Sequence, residues 1–212
     1  NPIWFLLRTS QSEGPVQSRK WLRDGRYVPL TEYDPRLFNE PITGWIFKKN
    51  PYLSPLAGRS TEPIPRGIHW DIGEMMVSPG PDHAIVIGWR SPFAGQIEIE
   101  GLFEHGQKGG VNSQVNWYVE RGPAPLVEQG FQSRSLQTGH SDFGTDSQLG
   151  KFHIKNQTVQ PGDFVYFIVD ARADGTATCH YSDGTRFDVT ITMRNAERPA
   201  PPRFEQDILP IL

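Results

Sequence analysis

Two glutamates, Glu98 and Glu100, form a pair of carboxylates of the kind that acid–base catalysis requires. They stand two residues apart in an alternating apolar and polar segment, and every second residue of a β-strand shares one face. The spacing therefore predicts a solvated strand face. A glycoside hydrolase needs its two acids about 5 to 10 Å apart across a cleft, and no local motif indicates such a pair. The sequence also has no nucleophile elbow, phosphate-binding loop or dinucleotide fingerprint, so we expect a protein that is not an enzyme.

The histidines could bind a metal, but their spacing does not favour it. They are His69, His83, His105, His140, His153 and His180. Glu104-His105 and His140-x-Asp142 carry ligands of the right type, yet neither has the paired-histidine spacing of a zinc motif. Cys179 is the one cysteine of the chain, which excludes an internal disulfide and a cysteine-based zinc site. We therefore predict no transition-metal site.

Aromatic side chains offer a better basis for binding. The rings of sugars pack their apolar faces on Trp or Tyr, while their hydroxyls bond to carboxylate, amide and guanidinium groups. Alternation along residues 115–120 points Tyr118 away from Val115 and Val119, among polar neighbours. Tyr181 follows His180 in a polar segment. The predicted ligand-binding residues are Asn116, Tyr118, Glu120, Arg134, His180 and Tyr181.

Composition narrows the class of partner. The 212-residue chain has a net charge of −3 and a pI near 6.1, with both signs interspersed, so we expect no nucleic-acid partner. Its apolar runs are about as long as one strand and far shorter than the roughly 20 residues of a membrane-spanning helix. The 21 glycines and 19 prolines indicate many turns and loops.

Three regions are expected along the chain. Residues 1–69 hold Trp4, Trp21 and Trp45 among many prolines without a sustained period, which predicts an irregular N-terminal segment packed on a sandwich. Its tryptophans either anchor that segment or offer a binding platform, and short strands are predicted near residues 26–29 and 45–48. Residues 70–196 form the predicted β-sandwich. The proline-rich residues 197–212 indicate a linker or the start of a following domain.

The sandwich is predicted from short apolar or alternating segments separated by turn residues. Residues 83–89, 96–103, 115–120, 151–154 and 186–193 have the pattern of strands. Alternation places three sets of residues on inward faces: Ile97, Ile99, Gly101 and Phe103; Val115, Trp117 and Val119; and Phe187, Val189, Ile191 and Met193. Residues 164–169 are apolar on both faces, which predicts a central strand preceded by a turn at 161–163. Long polar segments at 130–150 and 170–184 are predicted to be loops, which often carry function. The predicted fold class is an all-β, antiparallel β-sandwich.

Four segments together resemble a galactose-binding-like jelly-roll domain of secreted planctomycete proteins. They are residues 77–86 (VSPGPDHAIV), 89–95 (WRSPFAG), 159–164 (VQPGDF) and 185–192 (TRFDVTIT). The resemblance covers roughly residues 70–195. It implies a jelly roll similar to carbohydrate-binding modules, and a periplasmic or extracellular location.

The same resemblance implies a calcium ion, because jelly-roll binding domains of this type often hold one. Calcium takes oxygen ligands, and the predicted ligands are Asp170, Asp174 and Asp183. The alternative for these residues is ordinary Asp-Gly turn chemistry.

Residues 203–212 (RFEQDILPIL) are similar to the segment that precedes the haem-binding Cys-x-x-Cys-His of planctomycete-type cytochrome c domains. This chain does not contain that motif, because Thr176 stands where the first thioether cysteine would precede Cys179-His180. The resemblance therefore implies haem c only in a domain downstream of Leu212.

Two functions follow from these patterns. The first is a non-catalytic accessory module that binds a carbohydrate and is appended to a larger secreted protein. The second is a structural or interaction domain of a multi-subunit or cytochrome c-containing redox assembly. The corresponding partners are a polysaccharide or protein subunits.

Overall fold

The computed structural model describes residues 3–9, 27–47, 55–62, 72–80, 83–105, 114–124, 134–142, 150–171 and 184–194. Most of the described residues lie in β-strands. The strands are β1 Trp4–Thr9, β2 Tyr27–Pro29, β3 Glu32–Asp34, β4 Ile42–Ile46, β5 Leu56–Ser60, β6 Met75–Ser78, β7 Ile85–Arg90, β8 Gly95–His105, β9 Gln114–Gly122, β10 Arg134–Asp142, β11 Lys151–Val159, β12 Phe164–Asp170 and β13 Thr185–Arg194. A 3-10 turn, Leu37–Asn39, lies between β3 and β4.

The strands form two sheets. The six-stranded sheet has the order β10-β9-β12-β7-β1-β2, and the seven-stranded sheet has the order β11-β8-β13-β6-β5-β4-β3. Each pairing among these strands is antiparallel. Apolar residues of both sheets meet in one principal core. The predicted antiparallel β-sandwich is therefore confirmed, while the jelly-roll connectivity stays a prediction.

Aromatic rings fill the principal core. Phe103 of β8 stacks on Trp117 of β9, and its ring centroid lies 5.4 Å from those of Trp117, Phe152 and Phe187. Phe167 of β12 joins this group through Phe152 and Phe187. Since burying one such side chain stabilises a fold by about 1.5–3 kcal/mol, this cluster is a major source of stability. The inward faces predicted for β8 and β9 are the ones observed.

β12 is a central strand, as its continuous apolar run predicts. All seven of its residues are buried, and it lies between β9 and β7. Phe167 faces the principal core, whereas Tyr166 belongs to a second apolar cluster on the other face of the sheet. The six-stranded sheet is thus buried on both faces at its centre, which explains why β12 shows no alternation.

The turn before β12 is also confirmed. The Asp163 N–H donates to the Gln160 carbonyl over 3.0 Å, and Gly162 has a φ of 92°. Proline followed by a residue of positive φ is the pattern of a type II turn. Pro161 and Gly162 therefore fit this turn for different reasons, one by its fixed φ and the other by lacking a Cβ.

The first 69 residues differ from the predicted irregular segment. Where the structure describes them, they supply β1 inside the six-stranded sheet and β3, β4 and β5 at one end of the seven-stranded sheet. The prolines Pro29, Pro41 and Pro55 stand at the end of a strand or just before one. Strands of three to six residues are too short to produce a clear period in the sequence. For this reason β1, β3 and β5 were not predicted. The predicted short strands correspond to β2 and, with shifted bounds, β4.

Two further expectations need correction, and two regions lie outside the described residues. The predicted loop at 130–150 contains β10, a strand at the sheet edge paired with β9; a polar edge strand lacks the apolar alternation on which strand prediction depends. Met193, predicted to face inward, is exposed near the end of β13. The regions 172–183 and 195–212 lie outside the described residues. In the ranges described, no helix is long and apolar enough to cross a membrane.

Candidate functional site

The predicted binding face of β9 is largely covered. Tyr118 does point away from Val115 and Val119, as predicted, but it packs in the second apolar cluster and is 6% exposed. Glu120 is 2% exposed, and Asn116 is half-buried. The expectation of an open face is therefore wrong at Tyr118 and Glu120, because the six-stranded sheet buries both of its faces here. The ligand-binding role of these residues stays a prediction.

The other predicted residues are only partly described. Arg134 begins β10, where its backbone pairs with Arg121. Asp170 ends β12, is 1% exposed and stands opposite Asn116. The remaining predicted residues, His180, Tyr181, Asp174 and Asp183, lie outside the described residues. The calcium site therefore stays a prediction with one of its three ligands placed.

An exposed aromatic pair lies at the edge of the seven-stranded sheet. Tyr33 of β3 stands directly opposite Trp45 of β4, and Trp45 stands opposite Ala57 of β5. Ala57 in turn stands opposite Val77 of β6. Residues that oppose each other in antiparallel strands share a face. One cross-strand row therefore runs from the buried Val77 and Ala57 out to the exposed Trp45 and Tyr33.

The two rings are held at an angle rather than in one plane. Their centroids are 5.6 Å apart with an interplanar angle of 61°. Tyr33 is 57% exposed and Trp45 is 39% exposed. The hydroxyls of Tyr33 and Thr43 are hydrogen-bonded, which fixes the tyrosine ring. Arg59 is exposed and stands opposite Thr43, on the same face of the sheet.

The sequence predicted that the N-terminal tryptophans, Trp45 among them, either anchor the segment or offer a binding platform, and it did not single out Tyr33. The available signal was the alternation in β4, where Ile42, Gly44 and Ile46 are buried and Trp45 is exposed. Five residues carry that alternation, and the cross-strand partner Tyr33 lies twelve residues earlier. The juxtaposition of the two rings depends on the pairing of β3 with β4, which no local pattern specifies.

The second candidate surface is a cluster of charged side chains on the outer face of the seven-stranded sheet. Glu98 and Glu100 of β8 face His153 of β11, which stands directly opposite Glu100. The imidazole Nε2 is hydrogen-bonded to Oε1 of Glu98 and lies 3.2 Å from Oε1 of Glu100. Oε2 of Glu98 forms an ion pair with Arg194 of β13. Three neighbouring strands thus contribute to one charged cluster.

The two glutamates have different surroundings. The Glu98 side chain is 9% exposed, and the Glu100 side chain is 63% exposed. The hydrogen bond from His153 and the charge of Arg194 hold the pKa of Glu98 below its ordinary value, against the opposing effect of desolvation. The prediction of a solvated face is therefore wrong for Glu98, because its cross-strand neighbours cover it.

No protein-family model matches this sequence, and no curated protein is similar to it.

Proposed function

We propose that this chain is a non-catalytic carbohydrate-binding module whose contact surface is the exposed pair Tyr33–Trp45. The observation that carries the proposal is the exposure of two large aromatic rings side by side on one sheet face. The apolar C–H faces of pyranose rings pack favourably on the large, rigid faces of such aromatic rings. Two rings in one row can contact successive sugar units of a chain.

The pair is also rigidly supported. Trp45 continues a row that begins with the buried Ala57 and Val77, and Tyr33 is fixed through Thr43. A preorganised surface loses little conformational entropy when a ligand binds. This matters because a sugar chain itself loses entropy on binding, and a mobile protein surface would add to that cost.

Polar groups suited to sugar hydroxyls lie beside the rings. Arg59 and Thr43 share the face of the pair, and a guanidinium group donates several hydrogen bonds in a fixed geometry. Such neighbours provide orientation, whereas the rings provide contact area. The proposal therefore assigns stacking to Trp45 and Tyr33, and hydroxyl recognition to Arg59.

Affinity electrophoresis in gels that contain a soluble glucan, xylan, mannan or galactan tests the proposal, with titration calorimetry on any polysaccharide that retards the protein. Trp45→Ala and Tyr33→Ala are expected to weaken binding about tenfold or more, which corresponds to about 1.4 kcal/mol. Phe38→Ala is the matched control, since Phe38 is another exposed aromatic residue but lies on the 3-10 turn. Its binding is expected to equal that of the wild type.

Two results would overturn the proposal. One is the absence of retardation of the wild-type protein by all four polysaccharides. The other is a retarded protein whose affinity is unchanged by both Trp45→Ala and Tyr33→Ala, which would place the sugar elsewhere.

A further inference from the structure

The cluster on the outer face of β8 and β11 combines one imidazole with two carboxylates. Oxygen atoms of Glu98 and Glu100 and a ring nitrogen of His153 all lie within 4.8 Å of one another. The arrangement follows from two simple periodicities. Glu98 and Glu100 share a face because they are two residues apart, and antiparallel register brings His153 opposite Glu100.

We propose that Glu98, Glu100 and His153 form a binding site for a divalent transition-metal ion of the zinc class. Zinc binds histidine nitrogen at about 2.0–2.1 Å and carboxylate oxygen at about 2.0–2.2 Å. Two ligands of a tetrahedral ion are therefore about 3.3 Å apart. The distance of 3.2 Å between Nε2 of His153 and Oε1 of Glu100 matches this separation between two ligands.

The donor set selects the class of metal. Calcium and magnesium take oxygen ligands, whereas an imidazole suits zinc, copper, iron or nickel. Two carboxylates and a neutral imidazole carry a charge of −2, which balances a divalent ion. The ion would replace the hydrogen bond that now joins His153 to Glu98, and water would complete its coordination.

Arg194 has a supporting role in this site. It pairs with Oε2 of Glu98, whereas Oε1 is the oxygen that faces His153. Groups that hold the non-ligating side of a carboxylate orient the ligand, and their loss commonly lowers metal affinity 10- to 100-fold. Arg194 is therefore expected to hold the Glu98 carboxylate with Oε1 turned toward His153.

The site would act as a clamp between strands. β11 is the edge strand of the seven-stranded sheet and pairs only with β8 among the described strands. An ion ligated from β8 and β11 would hold that edge in register. Because it binds the folded state in preference to the unfolded chain, it would also raise the temperature of unfolding. This inference is independent of the proposed sugar surface, whose residues lie on β3, β4 and β5.

Calorimetric titration of the chelator-treated full chain with Zn²⁺ tests the site, together with the visible absorption of the Co²⁺-loaded protein. The tests use His153→Gln, a change at a partly exposed position, and Glu100→Gln, a change at a well-exposed one. Each is expected to weaken Zn²⁺ binding more than about tenfold and to abolish the rise in unfolding temperature. Glu104→Gln is the matched control, because Glu104 also lies on β8 but pairs with Arg186.

The wild-type protein and Glu104→Gln are expected to bind Zn²⁺ alike, and Ca²⁺ is expected not to compete. Folding of each variant is checked by its circular dichroism spectrum, and the two ligand variants give independent readings. The proposal fails if the wild-type protein does not bind Zn²⁺, which would leave a purely hydrogen-bonded cluster. It also fails if His153→Gln and Glu100→Gln both retain wild-type affinity, which would place the ion at other histidines.

Discussion

Gly101 of β8 lies between the core residues Ile99 and Phe103, where any side chain would meet its neighbours. A Cβ built at this position would lie 2.3 Å from Cζ of Phe152 and 2.7 Å from the carbonyl oxygen of Asp188. Both distances are shorter than real Cβ contacts. The Phe152 ring cannot move away easily, since it packs between the rings of the principal core. We therefore predict that Gly101→Ala destabilises the protein.

The magnitude follows from two opposed effects. Replacing a strand glycine by alanine ordinarily stabilises by roughly 0.5–1 kcal/mol, because glycine has more freedom to lose on folding. Overpacking a dense core costs typically 1–3 kcal/mol. With three contacts below 3 Å at Gly101 the second effect dominates, and the expected net loss is about 1.5 kcal/mol. For a chain of this size that loss lowers the unfolding temperature by about 3–6 °C.

Urea denaturation followed by circular dichroism measures the effect, with Gly88→Ala as the matched control. The nearest atom to a Cβ at Gly88 is the flexible end of Leu7 at 3.3 Å, so this variant is expected to stay within about 0.5 kcal/mol of the wild type. In a Phe152→Leu background the cost of Gly101→Ala should fall by at least half, because the ring is removed. The reasoning is refuted if Gly101→Ala is neutral, or if the two substitutions add within about 0.5 kcal/mol.

Two further predictions concern β12 and the turn before it. Gly162→Ala should lower the free energy of unfolding by about 1–2 kcal/mol, since a φ of 92° is strained for any residue with a Cβ. Gly162→Asn should lower it less. If urea denaturation finds Gly162→Ala as stable as the wild type, the assigned turn is contradicted. Tyr166→Phe should cost about 1 kcal/mol at neutral pH, because the hydroxyl donates to the Pro123 carbonyl. Burial raises the pKa of Tyr166 above its ordinary value of 10.0, so above about pH 10 the unfolded chain loses this proton while the folded state keeps it, and stability falls as pH rises. Urea denaturation at pH 8 and pH 10.5 should show a smaller fall for Tyr166→Phe, and an identical fall would show that Tyr166 does not contribute.

Apart from β10, the strands from β8 to β13 could be predicted from local pattern. The alternation of β8 and β9 identified the inward residues around Phe103 and Trp117, and the apolar run of β12 identified a central strand. The turn at Pro161-Gly162 was equally local. These features depend on residues one or two positions apart, so a linear sequence contains the information for them.

The candidate surfaces depend on information that is not local. An alternation with a period of two residues indicates which residues share a face of the strand. It does not indicate whether another layer of the structure covers that face. Tyr118 was therefore predicted to be accessible although it is buried, and Glu98 was predicted to be solvated although His153 and Arg194 cover it.

The sequence alone therefore determined that this protein is an antiparallel β-sandwich and which residues of β8, β9 and β12 fill its core. Only the tertiary structure decided that Trp45 lies beside Tyr33, and that Glu98 and Glu100 meet a histidine more than fifty residues away. The physical reason is that strand order and register are set by the packing of the two sheets as a whole. The same alternating pattern is compatible with many strand orders, and only one of them brings these side chains together.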